Sequence, residues 1–238
     1  MTESPRPARN TLLPGRETTL LPDPGEHVVL HTPVDGPWPE GTEVLYLAGG
    51  CFWGLERILW RQDGVVSTSV GYMGGTTPNA SYREVCTGRT GHAETVRVVY
   101  DPAVVGRGGE ALLRVFWENH DSTRLNRHGN DVGTQYRSAV WTTTPEQAAV
   151  ARATLTAFQR ELARLGMAPS VTTIAPADSL YAEFGGPYYL AEEYHQGYLH
   201  KNPGGYCNHG PNGVTCPVGI ANLPAQVAVL APEDAPET

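Results

Sequence analysis

Apolar and polar positions recur with two different periods along the chain, and the changes from one period to the other mark the expected elements. Residues 44–48 are apolar enough for a buried strand, and Leu55, Ile58 and Leu59 follow at helical spacing. A strand that hands over to a helix is predicted there, with Cys51 at or near the helix start. Residues 65–72 alternate as a strand does until Gly71-Tyr72-Met73-Gly74-Gly75 breaks them. Residues 76–88 read as a short helix or loop returning to the sheet, and neither Tyr82 nor Cys86 declares a role there by spacing. Around residues 94–100 the period of two sets Glu94 on one face with Val96, Val98 and Tyr100. Leu112, Leu113, Phe116 and Trp117 give residues 109–120 a helical apolar side.

A polar loop rich in Asn, Gly and Asp occupies residues 120–138, and a loop of that length and polarity is more often a site than filler. Residues 138–142 form another strand. Thr144-Pro145-Glu146-Gln147 supplies an N-cap, a proline at the first helical position and a glutamine three residues past the cap. Leu155, Phe158, Leu162 and Leu165 make the stripe of that helix, and Gly166 closes it. Residues 171–175 are expected as a last strand.

Both ends lack such periodicity. Residues 1–40, rich in Pro and Thr, are predicted to be an extended arm that wraps the core or stays mobile, although 28–30 alone could make a short strand. Residues 41–220 form the expected domain, of which 177–220 are a coil-rich tail. Tyr181, Phe184, Tyr188, Tyr189, Tyr194 and Tyr198 supply aromatic anchors for that tail, and Glu192-Glu193-Tyr194-His195-Gln196 is expected as a short helix. Residues 221–238 turn to Ala, Pro and acidic residues and are expected to be disordered.

Composition narrows the function more than the fold. The chain of 238 residues is long enough to bury a real core, and its net charge of -8 argues against nucleic acid or an anionic membrane as the main partner. It contains no apolar run of spanning length and no signal-peptide pattern at its start, so the cytoplasm is the expected compartment. Four cysteines are too few for a disulfide scaffold, which turns attention to redox, nucleophilic or metal chemistry. Cys51 and Cys86 fall in the expected core, whereas Cys207 and Cys216 fall in a Gly/Asn/Pro-rich stretch that can bend. A mobile thiol able to reach a fixed one is what a disulfide-forming cycle requires.

Cys51 is the focal residue. A helix start offers unpaired N–H groups and the positive end of a dipole, both of which favour a thiolate. Flanking glycines keep the sulfur reachable, while Phe52 and Trp53 add an apolar wall suited to an alkyl or thioether group. If the Val96 face is buried, desolvation raises the pKa of Glu94 and keeps it protonated near neutrality, as a general acid must be.

These residues resemble the A-type peptide methionine sulfoxide reductases. Gly50-Cys51-Phe52-Trp53-Gly54 is similar to that family's catalytic signature. Gly71-Tyr72-Met73-Gly74-Gly75, Tyr82-Arg83-Glu84-Val85-Cys86, Gly91-His92-Ala93-Glu94, the stretch from Gly129 to Ser138 and Tyr194-His195-Gln196 resemble its other blocks in the same order. The resemblance implies an α/β (α+β) fold in which a central, mostly antiparallel mixed sheet is flanked by helices, a ferredoxin-like two-layer core with a long coil-rich C-terminal segment. It implies reduction of the S epimer of methionine sulfoxide, free or in proteins, with no bound cofactor and with thioredoxin (or dithiothreitol) as reductant, in a monomer. Carried over by motif, Cys51 is the nucleophile, Phe52 and Trp53 hold the substrate methyl group, and Glu94 is the acid. Tyr82, Tyr136 and Asp131 gather around the sulfoxide oxygen, and Cys207 then Cys216 resolve and recycle the oxidised Cys51. Cys86 is read as a buried thiol without a catalytic role. Where the family often has proline and glutamine, this chain has Ser122 and His128, which touches local loop geometry.

Other readings compete. A cysteine hydrolase or acyltransferase would pair Cys51 with His92 or His195 as base. A binding module for oxidised methionine would lack turnover. A structural zinc site would join the tail cysteines to His200 or His209, although the long gap between those cysteines lacks close zinc spacing.

Overall fold

The computed structural model describes residues 13–217 and Gly219. The chain folds around a six-stranded sheet. Its first half runs β1 (Glu43–Gly49), α1 (Phe52–Leu59), β2 (Val65–Met73), α2 (Tyr82–Cys86), β3 (Ala93–Tyr100), α3 (Pro102–Val105) and α4 (Glu110–Asn119). There follow a two-residue hairpin of β4 (Arg127–His128) and β5 (Asp131–Val132), then β6 (Ser138–Thr142), α5 (Pro145–Arg164), β7 (Thr173–Pro176), β8 (Tyr188–Leu190) and α6 (Tyr198–Lys201). The strand order is β7-β6-β1-β3-β2-β8, antiparallel throughout except for the parallel β6–β7 pair. Strands β6-β1-β3-β2 with α1 and α4 make the expected ferredoxin-like core.

The sheet buries both faces, which is why all eight residues of β3 are buried. On one side Leu45, Leu47, Val70, Val96, Val98 and Val140 pack against Phe52, Leu55 and Leu59 of α1, Phe116 and Trp117 of α4, and Phe158 and Leu162 of α5. On the other side Ala48, Met73, Ala93, Ala139 and Trp141 are covered by Leu21 and Val34 of the N-terminal arm and by Ala177. Helices therefore sit on one face, and irregular chain covers the other.

The arm wraps the core. Residues 28–30 form no strand but a tight turn within that arm, in which His27 Nδ1 accepts the N–H groups of Val29 and Leu30 and a bridge joins Glu26 to Pro33. Residues 1–12 and 220–238, including the stretch expected to be disordered, lie outside the described residues.

The long helix α5 starts as its cap predicts, with Thr144 accepting from the Gln147 N–H. It ends at Gly166, whose φ of 69° lets the Met167 N–H reach back to the Leu162 carbonyl at 2.9 Å. Its buried stripe differs from the expected one. Val150, Ala151, Thr154, Phe158 and Leu162 are buried, Leu155 is half-buried and Leu165 is exposed, because Leu165 is already the cap. The sheet also gains an edge strand that periodicity did not indicate. Residues Tyr188–Leu190 are too few to alternate visibly, yet they pair with Gly71, Tyr72 and Met73.

Candidate active site

Cys51 is the N-cap residue of α1, set there by Gly50, whose φ of 98° no L side chain tolerates well. A Cβ on Gly50 would also stand 2.5 Å from His128. Glu94 arrives from β3, where it sits opposite Tyr72 of β2. Tyr82 opens α2, whose start is held by a capping box in which Ser81 and Glu84 bond reciprocally. Asp131 comes from the small hairpin opposite His128, and Tyr136 ends the 3-10 turn Thr134–Tyr136.

These elements converge on one cleft of about 90 Å³ lined by Cys51, Phe52, Trp53, Tyr82, Glu94, Asp131, Tyr136 and Tyr206. Every residue expected in the catalytic or substrate-binding set is there. Within the cleft the Phe52 N–H donates to Glu94 Oε2 at 3.0 Å. Trp53 is fixed on two sides: its Nε1–H donates to His195 Nδ1 at 3.0 Å, and its indole stacks on Tyr198 at 3.8 Å. The wall expected from Phe52 and Trp53 is thus rigid before any substrate arrives.

Electrostatics bear out one expectation and correct another. Burial pushes the Glu94 carboxyl up to about 8, against the pull of the Phe52 N–H, so the acid holds its proton at neutrality. Cys51 does not rest as a thiolate. Burial first, then the nearby Glu94, push its thiol well above the ordinary range, and the N–H groups of Trp53 and Gly54 only partly offset this. A helix start stabilises a thiolate where water also reaches it, and Cys51 is only 6% exposed. Burial likewise raises Tyr82 and Tyr136, so both phenols remain donors.

Tyr206 is a cleft residue that sequence reasoning passed over. Its hydroxyl donates to Asp131 Oδ1 at 3.1 Å, which ties the C-terminal segment to the hairpin. Its position next to Cys207 was the available signal. Glu192 is a second omission: its carboxylate accepts from the Tyr72 hydroxyl at 3.0 Å and from the Tyr82 N–H at 2.9 Å, so it aims α2 at the cleft.

All four cysteines are free thiols, and two lie elsewhere than expected. Cys86 is exposed at the end of α2 and not in the core. Cys216 is not on a loose tail. It is 1% exposed, packed in the main core with its N–H on Glu118. Cys207 is half-buried over the first turn of α1.

The hydrolase pairing finds no support. His92 is spent on loop closure, with Nδ1 accepting the Gly75 N–H and Nε2 on the Thr77 carbonyl, while His195 Nδ1 is spent on Trp53. Among the described residues, no group of three or more His, Cys, Asp or Glu side chains is placed to hold a metal ion. No helix among them is long and apolar enough to cross a membrane.

A buried thiol capping a helix, faced across a small cleft by a protonated carboxyl and two phenols, defines a thiol oxidoreductase built to take up an oxygen atom. Residues 43–215 match the family model described as peptide methionine sulfoxide reductase. A peptide methionine sulfoxide reductase MsrA of Salinispora arenicola is 57% identical over 211 residues, which is 88% of this chain and 91% of that protein. Among solved structures, methionine sulfoxide reductase A of Corynebacterium diphtheriae superposes with a TM-score of 0.73 at 45% identity, covering 88% of this chain and 96% of that one. Reduced Mxr1 of Saccharomyces cerevisiae gives 0.57 at 33% identity, covering 73% and 92%. The chain belongs to the peptide methionine sulfoxide reductase family.

Proposed function

We propose that the chain reduces the S epimer of methionine sulfoxide, free or in oxidised proteins, by attack of Cys51 on the sulfoxide sulfur. The observation that carries this is the placement of Cys51 and the proton-bearing Glu94 on one cleft with Tyr82 and Tyr136. A sulfoxide sulfur becomes electrophilic only when its oxygen is protonated or strongly hydrogen-bonded, so donors must stand opposite the thiol. Phe52 and Trp53 receive the methyl group. Tyr82 and Tyr136 bond the oxygen, and Asp131 reaches it through water. Glu94 gives its proton to that oxygen as the Cys51 sulfur attacks, and the thiol proton returns to the carboxylate. The S–O bond of the substrate is lost, methionine leaves, and Cys51 becomes a sulfenic acid.

Cys207 then condenses with Cys51, and Cys216 exchanges into the disulfide to present it to thioredoxin. For that exchange Cys216 leaves its seat. The segment is held by Asn212, whose side chain caps α4 by donating to the carbonyls of Trp117 at 2.7 Å and His120 at 2.8 Å. No bound cofactor is needed, since thiols carry both electrons. The four free cysteines suit a reducing compartment, and we place the protein in the cytoplasm.

Racemic methionine sulfoxide with dithiothreitol tests the reading. Methionine should form up to half of the racemate and not at all with Cys51→Ser. No methionine, or formation that survives Cys51→Ser, overturns it.

A further inference from the structure

Cys207 sits in a niche of its own over the first turn of α1, and the niche holds two groups that the cleft chemistry leaves unused. Arg57 Nη2 donates to Cys207 Sγ at 3.1 Å. His209 Nε2 lies 2.8 Å from the Gly49 carbonyl oxygen. A carbonyl only accepts, so Nε2 carries the ring proton and Nδ1 presents a lone pair. That Nδ1 is buried and has no hydrogen-bond partner. The sulfur and the nitrogen flank the side chain that Gly54 lacks: a Cβ there would stand 2.8 Å from Cys207 Sγ and 2.5 Å from His209 Nδ1. The thiol has only one weak acceptor of its own, the His209 carbonyl at 3.8 Å.

We propose that Arg57 and His209 turn Cys207 into the attacking thiol, with His209 Nδ1 taking its proton and the Arg57 guanidinium carrying the charge of the thiolate. The proposal rests on the reading of Cys207 as the resolving residue. The thiolate attacks the Cys51 sulfenic acid, so that the S–S bond forms as the S–O bond breaks. The departing hydroxide takes the proton held by His209 and leaves as water. One sulfur is oxidised by one level and the other reduced by one, so no outside oxidant enters.

The ring is neutral at rest with its Nδ1 lone pair free, and the thiolate formed beside it offsets the cost of charging it. Burial first, then His128 stacked on the ring at 4.2 Å, hold His209 well below the ordinary histidine range, with His120 and Arg57 acting the same way and the Gly49 carbonyl opposing them. A guanidinium is a permanent charge, so Arg57 keeps a cation against the Cys207 sulfur while the proton leaves. Gly54 has a physical reason to lack a side chain, because any Cβ would fill the space across which the proton moves.

The test compares two rates in the full chain, without reductant, after mixing with methionine sulfoxide: the burst of methionine, and formation of the Cys51–Cys207 disulfide read by mass spectrometry with dimedone as a trap for sulfenic acid. In Arg57→Met the ratio of disulfide rate to burst rate should fall at least tenfold, and the dimedone adduct of Cys51 should accumulate. Arg57→Lys, which keeps the charge, should lose less than threefold. His209→Gln, whose amide nitrogen takes the place of Nε2 on the Gly49 carbonyl but offers no imidazole base, should lose about tenfold and be rescued by added imidazole. An unchanged ratio in Arg57→Met, or equal losses in Arg57→Met and Arg57→Lys, overturns the proposal. The burst in each sample reports whether that variant has folded. If Cys207→Ser still closes a disulfide on Cys51 at the normal rate, the assignment of Cys207 as resolver fails, whatever Arg57 does.

Discussion

The N–H of Phe52 donates to Glu94 Oε2 at 3.0 Å, so the residue directly after Cys51 is bonded to the Glu94 carboxyl. One contact across 42 positions of sequence sets the relative place of thiol and carboxyl. The same contact acts on the acid's charge. It favours the carboxylate, and burial outweighs it, so Glu94 stands at about 8 rather than near the usual carboxylate value.

The burst of methionine should therefore decline on the alkaline side with a midpoint near pH 8, where Glu94 loses its proton. Glu94→Gln keeps the size and a hydrogen-bond donor but has no proton to give. We expect its burst to fall by about 100-fold or more and to lose that alkaline limb. Quenched-flow measurement of methionine between pH 6 and 10, a range of about four units, checks both.

His195 is expected to act on binding through Trp53, since its Nδ1 accepts the indole N–H at 3.0 Å. In His195→Leu the indole loses that anchor and keeps only its stacking on Tyr198. A hydrogen bond of this kind contributes about 1 kcal/mol, so KM for methionine sulfoxide should rise about fivefold while the burst rate at saturation changes less. Steady-state kinetics with dithiothreitol separates the two.

Acid should unfold the protein through its histidines. Burial holds His27, His92, His120 and His195 down to about 4, below the ordinary 6.5. Between those values the unfolded chain binds more protons than the folded one, so stability is present above pH 6.5 and is lost as the pH falls towards 4. Glu56 and Glu94, raised by burial to about 8, work in the opposite direction between 8 and 4.5, but the histidines outnumber them. His27→Asn retains an acceptor for the Val29 and Leu30 N–H groups, and should make the stability slope shallower by about one proton. Urea titrations at pH 4.5, 5.5 and 6.5, spaced by roughly one unit, measure it.

Asn212→Ala removes the cap that ties the tail to the end of α4. Two bonds to buried carbonyls are lost, at a cost of about 1–2 kcal/mol each at most. The variant should melt lower and react faster with a thiol reagent at Cys216, whose thiol burial now pushes up to about 12. Mass spectrometry of the labelled residue reads the second effect.

Much of the site could be read from residues alone because its parts are local. The strand-to-helix turn at Cys51 needs only an apolar run, glycines and a helical stripe, and it formed as expected with Cys51 as the cap. The burial of Glu94 was foreseeable because strand alternation set it on the Val96 face, although only the structure buried that face. The roles expected of Tyr82, Asp131 and Tyr136 entered by resemblance, since no period relates three loop and turn residues to a thiol. Tyr206 and Glu192 were missed for the same reason. Cys86 was expected in the core, yet it lies at the open end of a five-residue helix.

Sequence by itself determined the local conformations: which residues turn at Gly50, cap α5 at Thr144 and alternate along β3. Those depend on each residue's own backbone freedom and on neighbours three or four positions away. Only the tertiary structure decided the charge state of Cys51, the burial of Cys216 and the meeting of Arg57, Cys207 and His209. Each depends on how much water and which distant groups surround one atom, and Arg57 and Cys207 alone lie 150 positions apart in the chain.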